Sequence, residues 1–372
     1  MPGPEPRRRD VLAGLAAAGS AAALPAAEAG AASRPSLAAL AEARGLRFGM
    51  AVTAAQVAAA PKLAATALAE ADLLVPGLAL KWNQAEPAPG LFDLAVADGL
   101  VAMARRRGLA ARGHTLVWHG ALPAWVAAID GRAEMASVLS RHIGTLCRHY
   151  AGRLHSWDVV NEAIQPGDGP GNLRQTPFLA ALGPDYIARA FGLAAEADPA
   201  AILTLNDFDL ERDTPWQARR RRAMLDLLDQ LVRRRVPVRA LGIQGHLDPA
   251  KGPLDPAIFR DFIRSVAGLG LEVFITELDM IDRTLPADIA ARDALAARDT
   301  LAYLTAALAE PSVKLVVTWG VSDAFSWVDS QPATRRTDGL PSRPHLYDAA
   351  FRPKPLRAAV AEALRAAPAR RP

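Results

Sequence analysis

Eight short apolar runs recur along this chain, and each is followed by an Ala-, Leu- and Arg-rich run with helical spacing. The strand-like runs fall at 48–52, 72–76, 109–113, 155–160, 202–205, 239–243, 272–275 and 315–318. Helical runs at 54–69, 93–107, 135–150, 185–197, 217–235, 256–269, 287–308 and 351–366 alternate with them. Strands separated by a helix each time pair in parallel, because the crossover returns the chain to the same end of the sheet. Eight βα units in about 340 residues predict an α/β fold, a single-domain (β/α)8 TIM barrel with loop insertions. A tandem pair of smaller α/β domains would need a mid-chain linker, and no spacer interrupts the alternation.

Residues 1–29 stand outside this pattern. Arg7-Arg8-Arg9-Asp10-Val11-Leu12 precedes an Ala/Leu/Gly run that ends near Ala27-Glu28-Ala29. A basic start, a short apolar stretch and small residues at the exit predict a secretory leader. The paired arginines resemble a twin-arginine signal, which predicts a periplasmic or secreted protein. The apolar run is short for a membrane span, so no stable span is expected. Residues 30–372 are then the catalytic barrel. Its lone cysteine, Cys147, excludes an internal disulfide and a cysteine-based metal cage. Net charge is +4, from 43 basic and 39 acidic residues. The arginine clusters at 105–107, 219–222 and 233–235 read as solvated helix faces without aromatic interleaving, so no nucleic-acid partner is expected. A monomer without a cofactor or metal is expected.

Function concentrates at the exits of the strands. Trp157-Asp158-Val159-Val160-Asn161-Glu162 runs an apolar strand into an Asn-Glu pair, and Val273-Phe274-Ile275-Thr276-Glu277 repeats the design. A carboxylate at the end of a buried strand is costly unless it is paired or working. Lys81, His114, Trp118, His119, Glu162, Asn206, Gln244, His246, Glu277 and Trp319 all follow expected strands, and none precedes one. In a parallel barrel that one-sidedness marks the catalytic face. Taken singly, a strand-end Glu is more often a helix cap and a Trp more often core; ten such residues on one rim are hard to explain as packing. Trp118, Trp319 and Trp327 beside amides, histidines and a lysine suit a pyranose, with its apolar face and hydroxyl rim. Two carboxylates added to that lining give the chemistry of glycoside hydrolysis.

These residues also carry a resemblance. Arg112-Gly113-His114-Thr115-Leu116-Val117-Trp118-His119, the Trp157–Glu162 segment, Gly242-Ile243-Gln244-Gly245-His246, Ile275-Thr276-Glu277-Leu278-Asp279 and Thr318-Trp319-Gly320-Val321-Ser322-Asp323 with Ser326-Trp327 occur in this order. Together they resemble the family 10 glycoside hydrolases, mostly endo-β-1,4-xylanases, over nearly the whole mature chain. The resemblance implies a retaining double displacement on β-1,4-xylan or xylo-oligosaccharides, with Glu162 as acid/base and Glu277 as nucleophile. Retention needs the two carboxyl groups about 5–5.5 Å apart. Asn161 is then placed to bind the 2-hydroxyl of the sugar being cleaved. His246, held by Asp279, would keep Glu277 ionised. Lys81 and His114 would hold hydroxyls of the glycone, and Trp319 and Trp327 would wall it. Trp118 and Gln244 complete the expected substrate contacts.

Two departures from the family pattern stand out. Where members usually read Pro-Glu-Asn-x-x-Lys-Trp, this chain reads Pro76-Gly77-Leu78-Ala79-Leu80-Lys81-Trp82, and the usual Gln after Trp-His-x is Ala121. All three changes remove polar contacts to the second glycone sugar, the −2 position. They open an alternative: a β-glycosidase of altered glycone recognition that acts on short, decorated or aryl and plant β-glycosides. Other rivals fit less well. A metal-dependent hydrolase would use His114, His119, His246 and an acid, but the chain lacks a His-x-His strand motif. A non-catalytic sugar-binding barrel would lose a carboxylate, and a phosphate-binding barrel would show a Gly-rich loop after its last strands.

Overall fold

The strands are β1 (Arg47–Val52), β2 (Leu73–Pro76), β3 (Ala110–Gly113), β4 (Ser156–Asn161), β5 (Ile202–Asp207), β6 (Ala240–Ile243), the two-residue β7 (His246–Leu247), β8 (Glu272–Met280) and β9 (Val313–Thr318). The computed structural model describes residues 34–370, so the expected leader lies outside the described residues. Each main strand pairs in parallel with its sequence neighbour, and β9 returns to β1 at Arg47↔Leu315. β6 skips β7 and pairs directly with β8, from Ala240↔Glu272 to Ile243↔Ile275. Eight parallel strands therefore close the expected (β/α)8 barrel, and β7 only extends the rim beside Asp279 and Met280.

Side-chain alternation divides the core in two. Ala51, Leu73, Val75, Ala240, Phe274, Leu315 and Val317 form an inner cluster. The opposite faces of the strands, including Met50, Trp157, Val159 and Val316, join a larger cluster with the helices. The inside also holds a buried charge pair, Arg112 with Asp158, and Arg112 donates to Ser156 Oγ at 2.7 Å. Gly113 lets Trp157 lie against its backbone, since a Cβ there would meet the indole at 2.1 Å.

Differences from the sequence reading have local causes. The expected helix at 54–69 is two helices, Ala54–Ala59 and Pro61–Glu70, because Pro61 has no N–H to continue the ladder and holds Ala60 extended. β8 runs five residues beyond its expected end at 275, and a register shift against β9 between Ile275 and Leu278 absorbs the change. Glu277 is therefore inside a strand, not beyond one. Short helices at Leu37–Glu42 and Pro177–Leu182 carry too few periods to be read in advance. Among the described residues, no helix is long and apolar enough to cross a membrane.

Candidate active site

A cavity of about 690 Å³ opens at the C-terminal ends of the strands. Ten of the expected residues line it, namely Lys81, His114, Trp118, Asn161, Glu162, Gln244, His246, Glu277, Trp319 and Trp327, whereas Asn206 is buried against Asn161 and Glu277 and His119 borders a separate hollow. The ten come from six of the eight barrel strands or the segments that follow them, which explains why no single sequence window holds the site. Leu78, Phe208, Asp209, Lys251, Ile281 and the 330–334 segment complete the wall.

Amide side chains connect the two glutamates. Asn206 Nδ2 donates to Glu277 Oε1 and to Asn161 Oδ1, each at 2.8 Å. Its Oδ1 accepts from Thr276 Oγ1 at 2.7 Å, which orients the amide. Asn161 Oδ1 is thereby an acceptor, and its Nδ2 is turned to Glu162 Oε1 at 3.3 Å. Gln244 Nε2 donates to the same Oε1 at 3.1 Å. Gly242 is required beneath this chain, because a Cβ there would meet Asn206 Oδ1 at 2.1 Å. Glu162 itself has φ 60°. A non-glycine residue held in the left-handed region costs about 1–3 kcal/mol and persists only where its surroundings over-determine it. Here Glu162 N donates to Asn206 O at 2.8 Å, and Arg174 Nε donates to Glu162 O at 2.9 Å.

Glu277 is only 4% exposed. Burial alone would raise its carboxyl, but His114, His246 and Lys81 outweigh burial and hold it down at about 2. His246 Nε2 lies 3.3 Å from Glu277 Oε2, and His246 Nδ1 donates to Asp279 Oδ1 at 2.8 Å. Burial opposes a charge on His246, yet Asp279 and Glu277 together push it up to about 10. Burial lowers Lys81, against the opposing pull of Glu277 and Glu162. Its Nζ sits 4.4 Å from the ring centre of Trp118. Burial also lowers His119, whose Nε2 is 4.0 Å from Glu162 Oε2. One buried carboxylate is thus kept ionised, beside a second with a different set of neighbours.

The model of glycosyl hydrolase family 10 matches residues 36–363. The chain belongs to glycosyl hydrolase family 10. Among curated relatives, a beta-1,4-xylanase of Dictyoglomus thermophilum is 35% identical over 278 residues, covering 71% of this chain and 73% of the relative. Among solved structures, xylanase 10B from Thermotoga petrophila RKU-1 in complex with xylobiose superposes with a TM-score of 0.81 at 30% identity, over 90% of this chain and 98% of that one. Native xylanase 10B from Thermotoga maritima superposes with a TM-score of 0.79 at 31% identity, over 88% and 98%.

Within this family 10 barrel, the three departures noted in the sequence separate in space. Gly77 and Leu78 border a side cavity of about 310 Å³ that shares Leu78, Trp319 and Trp327 with the main cleft. Leu78 is 52% exposed at its mouth. Ala121 is buried and lies outside the cleft lining. His114 is buried too, with Nδ1 donating to Asp158 Oδ2 at 3.0 Å, so Arg112 and Asp158 orient it from inside the barrel. Sequence reasoning missed Phe208, Asp209 and Lys251. Lys251 meets Asp209 at 2.6 Å across 42 positions of chain, and no motif announces that pairing.

Proposed function

We propose that this chain is a retaining endo-β-1,4-xylanase in which Glu277 is the nucleophile and Glu162 the acid/base. The observation that carries the reading is the amide chain from Glu277 through Asn206 and Asn161 to Glu162, inside a cleft walled by Trp118, Trp319 and Trp327. The ionised Glu277 attacks the anomeric carbon while the proton of Glu162 passes to the departing glycosidic oxygen. Water then attacks the glycosyl-enzyme, Glu162 takes its proton, and Glu277 is released as carboxylate. His246, with Asp279 behind it, supports Glu277 as a poor proton acceptor and hence a free nucleophile. Asn161 Nδ2 is available to a sugar 2-hydroxyl, a contact that strengthens as the oxocarbenium character grows.

Endo action is supported by the cleft's continuation at both ends, toward Gly77 and Leu78 on one side and toward Asp209 and Lys251 on the other. Xylan as substrate is supported by relatives named as xylanases that match over most of their length. The alternative of an enzyme confined to short or aryl glycosides is not favoured by those relatives. Export through the twin-arginine route, supported by Arg7–Arg9 and the apolar run behind them, and action as a monomer complete the proposal.

Glu277→Ala and Glu162→Ala, assayed on linear xylan and on an aryl β-xylobioside with a good leaving group, test the roles. Glu277→Ala is expected to abolish both activities. Glu162→Ala is expected to abolish xylan hydrolysis but to retain the first step on the aryl substrate, which needs no proton. Wild-type rates in the Glu277 variant would overturn the assignment.

A further inference from the structure

At the end of the cleft remote from Lys81 and Trp319, Asp209 and Lys251 are shared with a second hollow of about 560 Å³. The segment after β5 builds it. Thr214 caps the helix Pro215–Arg233 by accepting from Gln217 N at 3.2 Å, and this sets Trp216 and Arg219 in the first turns, on the wall of the hollow.

Three features of that wall are unexplained by folding. Trp216 is a half-exposed tryptophan in a surface helix, where a large aromatic is not needed for the core. The Arg219 guanidinium lies 5.5 Å from its ring centre, is exposed, and enters no ion pair among the described residues. Lys251 Nζ is already matched by Asp209 at 2.6 Å, so Arg219 is the cation left to meet a ligand. Gln217, only 1% exposed, also borders the hollow, and its Nε2 has no hydrogen-bond partner among the described residues. An indole beside an unpaired guanidinium matches a sugar that carries an acid: the ring offers a stacking surface, and the planar fork takes a carboxylate with two hydrogen bonds.

We propose that this hollow is a remote leaving-group-side subsite for a uronic acid substituent on the xylan chain, with Trp216 stacking on the sugar and Arg219 binding its carboxylate. The proposal rests on the xylanase reading, which places the glycone at the Lys81 end. Its consequence is selectivity for acid-bearing over neutral substrate, since productive binding would seat the substituent several sugars beyond the bond being broken.

The test compares wild type, Arg219→Gln, Arg219→Lys and Trp216→Ala on neutral xylohexaose and on xylohexaose carrying one glucuronic acid branch. Arg219→Gln is expected to lower kcat/KM on the branched substrate about tenfold, the scale of a lost charge-assisted pair, and to leave the neutral substrate unchanged. Arg219→Lys should recover part of the loss, and high salt should reduce the wild-type preference. Trp216→Ala should weaken the branched substrate without changing cleavage of an aryl xylobioside. Equal effects of Arg219→Gln on both hexaoses, or none on either, would overturn the proposal. If wild type cleaves neither hexaose, the xylanase reading fails; calorimetric titration with the branched hexaose then decides the hollow alone, and binding unaffected by Arg219→Gln would overturn it.

Discussion

The indole of Trp327 donates to Asp279 at 2.6 Å, and the other oxygen of Asp279 holds His246 against Glu277. One carboxylate therefore fixes both a wall of the sugar site and the proton state of its nucleophile. Stacking and ionisation are coupled through a residue that lines neither the cavity nor the reacting bond.

Asp279→Asn tests that coupling by pH. Glu277 is held at about 2, below the ordinary carboxylate value, so its ionised state is available above that value and lost as pH falls through about 2. Removing Asp279 takes away a main support of the charge on His246, and Glu277 should rise toward an ordinary carboxylate. The acid limb of kcat/KM on an aryl β-xylobioside, measured from about pH 3 to 7, should move to higher pH. An unmoved limb would contradict the arrangement.

The same variant has a stability signature of opposite sign. His246 is raised to about 10, so its pairing contributes fully below its unfolded value near 6.5 and is lost as pH rises through about 10. The wild type should exceed Asp279→Asn in denaturant stability most at pH 6 and least at pH 10. A gap that widens with pH would refute the assignment.

Asn206→Ala leaves Glu277 Oε1 without its donor and Asn161 Oδ1 with only the longer contact to Gln244 Nε2 at 3.4 Å. Leaving a buried carboxylate oxygen unsatisfied costs about 1–3 kcal/mol, so kcat should fall about tenfold to a hundredfold with little change in KM. A purely structural role would instead show as a lowered melting temperature with normal kcat.

Far from the cleft, Arg357 donates to both oxygens of Glu70 at 2.8 and 2.9 Å, while Leu37 N donates to the same carboxylate. This buried cluster ties the Leu37–Glu42 and Pro355–Ala366 helices to the helix ending at Glu70. Arg357→Ala should destabilise the fold by about 3–5 kcal/mol in denaturant titration, with kcat on xylan unchanged under native conditions.

Incubation with a chelator should leave xylan hydrolysis intact, because the proposed double displacement uses two carboxylates and no metal ion. Loss of activity that zinc or calcium restores would favour the metal-dependent alternative.

The alternation of apolar runs and amphipathic helices determined the barrel, because parallel strands joined by helices have few ways to close. Strand-exit residues named the site for the same reason: a parallel barrel gathers all its C-terminal loops on one face. The bulge that draws Glu277 inside β8, the left-handed backbone of Glu162, and the Lys251–Asp209 pair were decided by tertiary structure. Each depends on contacts between segments tens of residues apart, and local propensity carries no information about what a side chain meets across the barrel mouth.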